Sequence, residues 1–196
     1  MFEIDFLPVG NSNGDAICVQ YSVPGGVLVH VVDGAYKDVQ GNGLVIGGLG
    51  GSVTVAGGMT VNGSVAANSN GANATAIRLG TGATVPTIKS AGNITATGGS
   101  GATTIVRSVV VDAGANLASI TNSGRISAAA AVDGTAIAIA DNSGTLSLVT
   151  NSGTISATSA NAGANKAIAI DLSANGSGAT VRQTLVAANA AAPVIT

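Results

Sequence analysis

The stretch SLVTNSGTISATSA at residues 147–160 nearly duplicates ASITNSGRISAAAA, which begins 29 residues upstream. Internal repetition of this kind constrains the fold more than any other feature of a chain. The pattern x-Gly-x-apolar-small-Ala occurs four times, as NGSVAA, AGNITA, SGRISA and SGTISA, with its glycines at Gly63, Gly92, Gly124 and Gly153. A second motif follows each copy: TAIRLG, SVVVDA, TAIAIA and KAIAID. It aligns Ile77, Val109, Ile137 and Ile168 at one position and Leu79, Val111, Ile139 and Ile170 at the next but one. A third segment closes the units as ATVPTI, ANLASI, GTLSLV and ATVRQT. Each unit of about 30 residues thus reads as three short strands of period two.

One such unit has too little core to bury its aliphatic face alone. Stacked on its copies it can, each strand pairing in parallel with its equivalent about 4.8 Å away. Parallel strands ordinarily need a helical crossover, yet the connecting segments are rich in Gly, Ser and Asn and lack helical periodicity. A full coil acting as the crossover resolves this. The sequence therefore predicts an all-β chain, a right-handed parallel β-helix (β-solenoid) of about four coils. In it TNSG recurs because every coil turns the same corner. Glycine is expected there for its unusual backbone dihedrals, Asn122 and Asn151 to stack as an amide ladder, and Ile126 and Ile155 to point into the core.

Composition agrees with a rod stabilised by backbone hydrogen bonds and small aliphatic stacks. Only 8% of residues are charged and 2% aromatic, and there are 29 glycines. A formal net charge of −2 gives no reason to expect nucleic acid as a partner. No run of about 18 apolar residues supplies a transmembrane helix. MFEIDF places acids where a signal peptide has its basic region.

The composition changes near residue 40. Phe2, Phe6, Tyr21, Tyr36, Cys18 and His30 are the chain's only aromatics, cysteine and histidine, and all precede that point. The boundary falls in VQGNG, residues 39–43. The domain reading is residues 1–40 as a β segment and cap for the first coil, 41–59 as a leading coil or linker, 60–184 as the repeats, and 185–196 as a partial coil or tail. The first segment reads as three strands, FEIDFLPV, AICVQYSV and GVLVHVVDG, separated by the turns GNSNGD and PGG.

Two resemblances follow from these residues. FEIDFLPVGNSNGDAICVQY with VHVVDGAY is similar to the opening strands of metallo-β-lactamase-fold hydrolases of the competence-related branch. That resemblance implies a His-x-His-x-Asp-His metal cluster, and the chain leaves the pattern before it. One histidine, His30, cannot hold a hydrolytic metal, which needs three or more ligands; it reads as a core or edge residue. Across residues 43–196 the coils NSGTISA, TAIRLGTGATVPTI, VVVDAGANLASITNSG and AIAIDLSANGSGATVRQ resemble the β-helical passenger segments of autotransporter-type outer-membrane proteins. This implies a cell-surface or extracellular location and a role as adhesin, spacer or enzyme scaffold. It also implies that the chain is either a fragment or a solenoid joined to a hydrolase-like beginning.

Chemistry is sparse. Asp112 and Asp171 align at one repeat position two coils apart, about 10 Å by coil spacing, a separation that suits an inverting carboxylate pair; coil-corner aspartates are more often solvated or capping. Arg78, Arg107, Arg125 and Arg182 read as dispersed solubilising charges rather than an anion-binding stripe. No calcium repeat or phosphate loop occurs, and no cofactor or metal is expected. The function expected is a non-catalytic structural or adhesive solenoid. Its partners would be other copies, end to end or side by side, or a surface polymer. The alternatives are a polysaccharide-acting β-helix enzyme or a hydrolase fragment joined to an unrelated repeat.

Overall fold

The computed structural model describes residues 2–6, 17–23, 26–32, 41–160, 166–185 and 192–196, the first three stretches as backbone only. Those three are β1 (Phe2–Phe6), β2 (Ile17–Val23) and β3 (Gly26–Val32). They form an antiparallel sheet in the order β1-β2-β3, with Ile4 opposite Val19 and Val19 opposite His30. The surroundings of the His30 side chain, and whether these strands cover the first coil, lie outside the described residues.

From Gly41 onward the chain winds as a right-handed parallel β-helix with three faces and about four turns. The first face stacks β4 (Gly41–Ile46), β8 (Ala74–Leu79), β11 (Ile105–Val111), β14 (Thr135–Asp141) and β17 (Ala167–Asp171). The second stacks β5 (Val53–Thr54), β9 (Ala83–Ser90), β12 (Asn116–Asn122), β15 (Leu148–Asn151) and β18 (Thr180–Gln183), with β6 (Met59–Val61) also pairing β9. The third stacks β7 (Ser64–Asn68), β10 (Asn93–Gly98), β13 (Arg125–Ala130), β16 (Thr154–Ser159) and β19 (Val194–Ile195). Residues 41–59 thus contribute strands to the first turn, and Val194–Ile195 forms the last layer of the third face.

Side chains of like kind form columns down the bore. On the third face Val65, Ile94, Ile126, Ile155 and Ile195 stand one above another, beside Ala67, Ala96, Ala128 and Ala157. Ile94, Ile126 and Ile155 are fully buried, and burying an isoleucine contributes roughly 1.5–3 kcal/mol. The second face adds Val85 over Leu117, and Met59, Ile88, Ile120, Val149 and Val181 in one line. Val181 stands where motif alignment of ATVRQT puts Thr184.

The four repeat glycines also stack, but for a reason other than the one the sequence suggests. None of Gly63, Gly92, Gly124 and Gly153 has a left-handed φ. A Cβ on Gly92 would instead meet Gly63 O at 1.8 Å, one on Gly124 would meet Gly92 O at 2.1 Å, and one on Gly153 would meet Gly124 O at 2.1 Å. Each carbonyl turns toward the next coil to accept a backbone bond: Asn93 N to Gly63 O, Arg125 N to Gly92 O, Thr154 N to Gly124 O and Val194 N to Gly153 O. Close approach of backbones, not dihedral freedom, requires glycine here. Left-handed glycines occupy the corner between the first and second faces, at Gly82, Gly114 and Gly144.

The first face departs from the sequence alignment. Val109 pairs with Ile77 and with Ile139, and Ile139 with Ile170, while Ile137 pairs with Arg107 and Ile168. Ile137 and Ile168 therefore do not stand in the column of Ile77 and Val109. That column is Leu44, Ile77, Val109, Ile139 and Ile170. Likewise Leu79 pairs with Val111, and Val111 with Asp141, so Ile139 and Ile170 do not continue the Leu79 column. The strands do not alternate strictly. Ala76 and Ile77, Ser108 and Val109, and Ala138 and Ile139 are successive residues that are both fully buried. The phase changes there, at a small residue in every strand, and Ile137 falls outside with Val110 and Ala140 in a separate outer cluster against which Ile105 and Ile168 pack.

Candidate functional site

Polar side chains inside the solenoid serve the backbone. Ser90, Asn122, Asn151 and Gln183 occupy one column of the second face. Asn122 Nδ2 donates to Asn151 Oδ1 at 2.8 Å and to Thr154 O at 3.0 Å. Asn151 Nδ2 donates to Gly153 O and Val194 O, each at 3.1 Å. Asn122 Oδ1 is buried and accepts nothing among the described residues.

Asp141, 2% exposed, fills a core position that Leu79 and Val111 hold in the coils before it. Its Oδ1 accepts from Ser143 N at 3.0 Å, Gly144 N at 3.1 Å and Ser143 Oγ at 2.6 Å, and its Oδ2 accepts from Leu146 N at 3.0 Å. A buried carboxylate is tolerated only when its oxygens are satisfied in this way. The motif DNSGTL carries this function; aspartate two residues before Ser-Gly is the sequence signal for a side chain that bonds the turn after it.

Asp112 and Asp171 do not stand in one column. Asp171 lies opposite Ala140, in the column of Arg78 and Val110, and its Oδ1 accepts from Ser173 N at 3.0 Å. Asp112 follows Val111, at the corner, and takes Arg78 Nε at 2.6 Å. The two-residue register difference on the first face separates the positions. Among the described residues no three His, Cys, Asp or Glu side chains converge as a metal centre requires.

What the register does bring together is Arg78 and Arg107. Thr75 and Arg78 on β8, Arg107 and Val110 on β11, Asp112 after it, and Asn142 after β14 line a surface recess of about 270 Å³ on the outer first face. With Arg78 at 43% side-chain exposure, its ion pair with Asp112 contributes little to stability, roughly 0–1 kcal/mol, but it neutralises one guanidinium. Arg107 has no such partner, and its Nε is buried without an acceptor among the described residues. Burial draws the Arg107 guanidinium below its usual pKa; Asp112 opposes this, Arg78 reinforces it, and Asp171 opposes it further. The two arginines come from different motif positions, so only the coil register reveals their proximity. No protein-family model matches the chain, and neither a curated protein nor a solved structure gives a match.

Proposed function

We propose that this chain is a non-catalytic β-solenoid of a cell-surface protein, a stalk or adhesive segment of the passenger kind. The observation that carries the reading is where its polar groups go. Asn122, Asn151 and Asp141 are consumed in holding coil to coil or shaping corners, Asp112 is ion-paired, and Asp171 bonds its own turn. Such a molecule offers length and repeated surface rather than a reacting centre.

End-to-end association belongs to the same reading. Val45 and Val53 are exposed on β4 and β5, and Val181 and Val194 on β18 and β19, the outermost described strands of their stacks. Strand edges with no pairing neighbour among the described residues, beside exposed apolar side chains, favour addition of another copy. Sedimentation velocity on the purified chain over a wide concentration range should show growth of linear oligomers, and a monomer throughout would remove this part.

The test of the main reading is protease shaving of intact source cells, with peptide mass spectrometry and the cytosol as comparison. Peptides from residues 43–196 released at the surface support it. The same peptides found only in the cytosol overturn it.

A further inference from the structure

We propose that the recess between Arg78 and Arg107 is a binding site for a carboxylated sugar residue of an acidic polysaccharide, with Arg107 receiving the carboxylate. Arg78 is already paired to Asp112, which leaves Arg107 as the guanidinium of the recess without a salt bridge among the described residues, Asp171 acting on it only at longer range. The planar fork of arginine matches a carboxylate bidentately. At Arg107 the Nε is shut off from solvent and without an acceptor among the described residues, so the carboxylate would meet the guanidinium through its two terminal nitrogens.

The rest of the lining selects what accompanies the anion. The exposed Asn142 amide offers donor and acceptor positions for hydroxyl groups. The Asp112 carboxylate accepts from a hydroxyl as well as from Arg78. Thr75 and Val110, both nearly buried, close the floor of the recess. A dianionic phosphate would meet one guanidinium free of a salt bridge with Asp112 and Asp171 both near it, an unfavourable balance, and a monoanion suffers less from the two carboxylates. At about 270 Å³, the space lies just below the usual range for small-molecule sites of roughly 300–1,000 Å³, which suits one sugar residue of a longer chain. The site gives the proposed surface rod a ligand and rests on that reading for where the polymer is met. Binding is read on the purified chain, so it can fail while surface display stands, and the reverse.

The experiment is isothermal titration calorimetry of the full chain with trigalacturonate, its fully methyl-esterified form, a sulfated disaccharide and acetate, at matched ionic strength. Trigalacturonate should bind, with the methyl ester, the sulfated sugar and acetate each at least about tenfold weaker. Arg107→Gln should weaken trigalacturonate binding by about tenfold or more while leaving the thermal midpoint unchanged or raised, since it removes a buried unpaired donor. Asp112→Asn frees Arg78 and should strengthen binding severalfold, which a merely structural role would not do. Absence of binding, equal binding of the ester, or unchanged affinity in a folded Arg107→Gln chain overturns the proposal. Equal binding of acetate or of the sulfated sugar overturns the assignment to a carboxylated sugar.

Discussion

The side chain of Asn122 donates from Nδ2 to Oδ1 of Asn151 in the coil above, 2.8 Å away, and both residues are fully buried. The pair transmits register between coils, because each amide also bonds the backbone of the corner beyond it. Asn151 engages Gly153 O and Val194 O and accepts from Gly153 N at 3.3 Å. Asn151→Ala leaves these groups and Asn122 short of partners in the buried interior. Denaturant unfolding should show a loss of about 2–4 kcal/mol. A loss below about 0.5 kcal/mol would mean that the ladder is not an energetic element.

The ladder stops one step early. Asn122 Oδ1 has no donor among the described residues, and the residue beneath it in register is Ser90, whose Oγ bonds Gly92 O at 3.3 Å. Ser90→Asn adds an amide at the position from which Asn122 donates to Asn151 one coil further on. The variant should be more stable by about 1 kcal/mol, read as a higher denaturation midpoint at unchanged slope. Destabilisation would show that the column is too narrow there for a third amide.

The glycine stack predicts a contrast within one motif. Gly124→Ala places a methyl 2.1 Å from Gly92 O and 2.7 Å from Ala91 O, so two coils must separate. The cost should be about 3 kcal/mol or more. Gly63→Ala meets nothing within 4 Å and sits at an ordinary φ. It should change stability by less than about 0.5 kcal/mol, toward stabilisation if at all. Equal effects at the two sites would contradict the carbonyl stacking.

How much of the fold is legible in the sequence depends on the face. The third face is readable because NSG and its equivalents stand at a fixed distance before Val65, Ile94, Ile126 and Ile155, so glycine and apolar residue mark the same phase. On the first face the run AIAIA at residues 136–140 fits two registers equally well. Strict alternation would put Ile137 and Ile139 on one side, and only the phase change at Ala138 parts them. The coil from Gly92 to Gly124 is also 32 residues against 29 for its neighbours. The added length precedes β11, yet the motifs still align that strand correctly, Val109 with Ile77. The apparent Asp112–Asp171 pair comes instead from reading the AIAI runs of β14 and β17 two residues out of register.

Asp141 offers the sharpest test of that register. It stands opposite Val111, where a hydrophobic side chain would be the simple choice, and holds the turn to Leu146 with both carboxylate oxygens. Asp141→Asn keeps an acceptor for Ser143 N and Gly144 N but turns an amide donor toward Leu146 N. Two donors then face one another in a buried site, which should cost about 2–3 kcal/mol. Asp141→Leu restores the apolar column of Leu79 and Val111 yet strips the turn of every bond the carboxylate made. It should cost at least as much as Asp141→Asn, because three backbone N–H groups lose their acceptor together. Thermal unfolding of the two variants decides the matter. If Asp141→Leu matched or exceeded the parent in stability, Asp141 would be an ordinary core position, and the corner from Asp141 to Leu146 would hold its shape without its side chain.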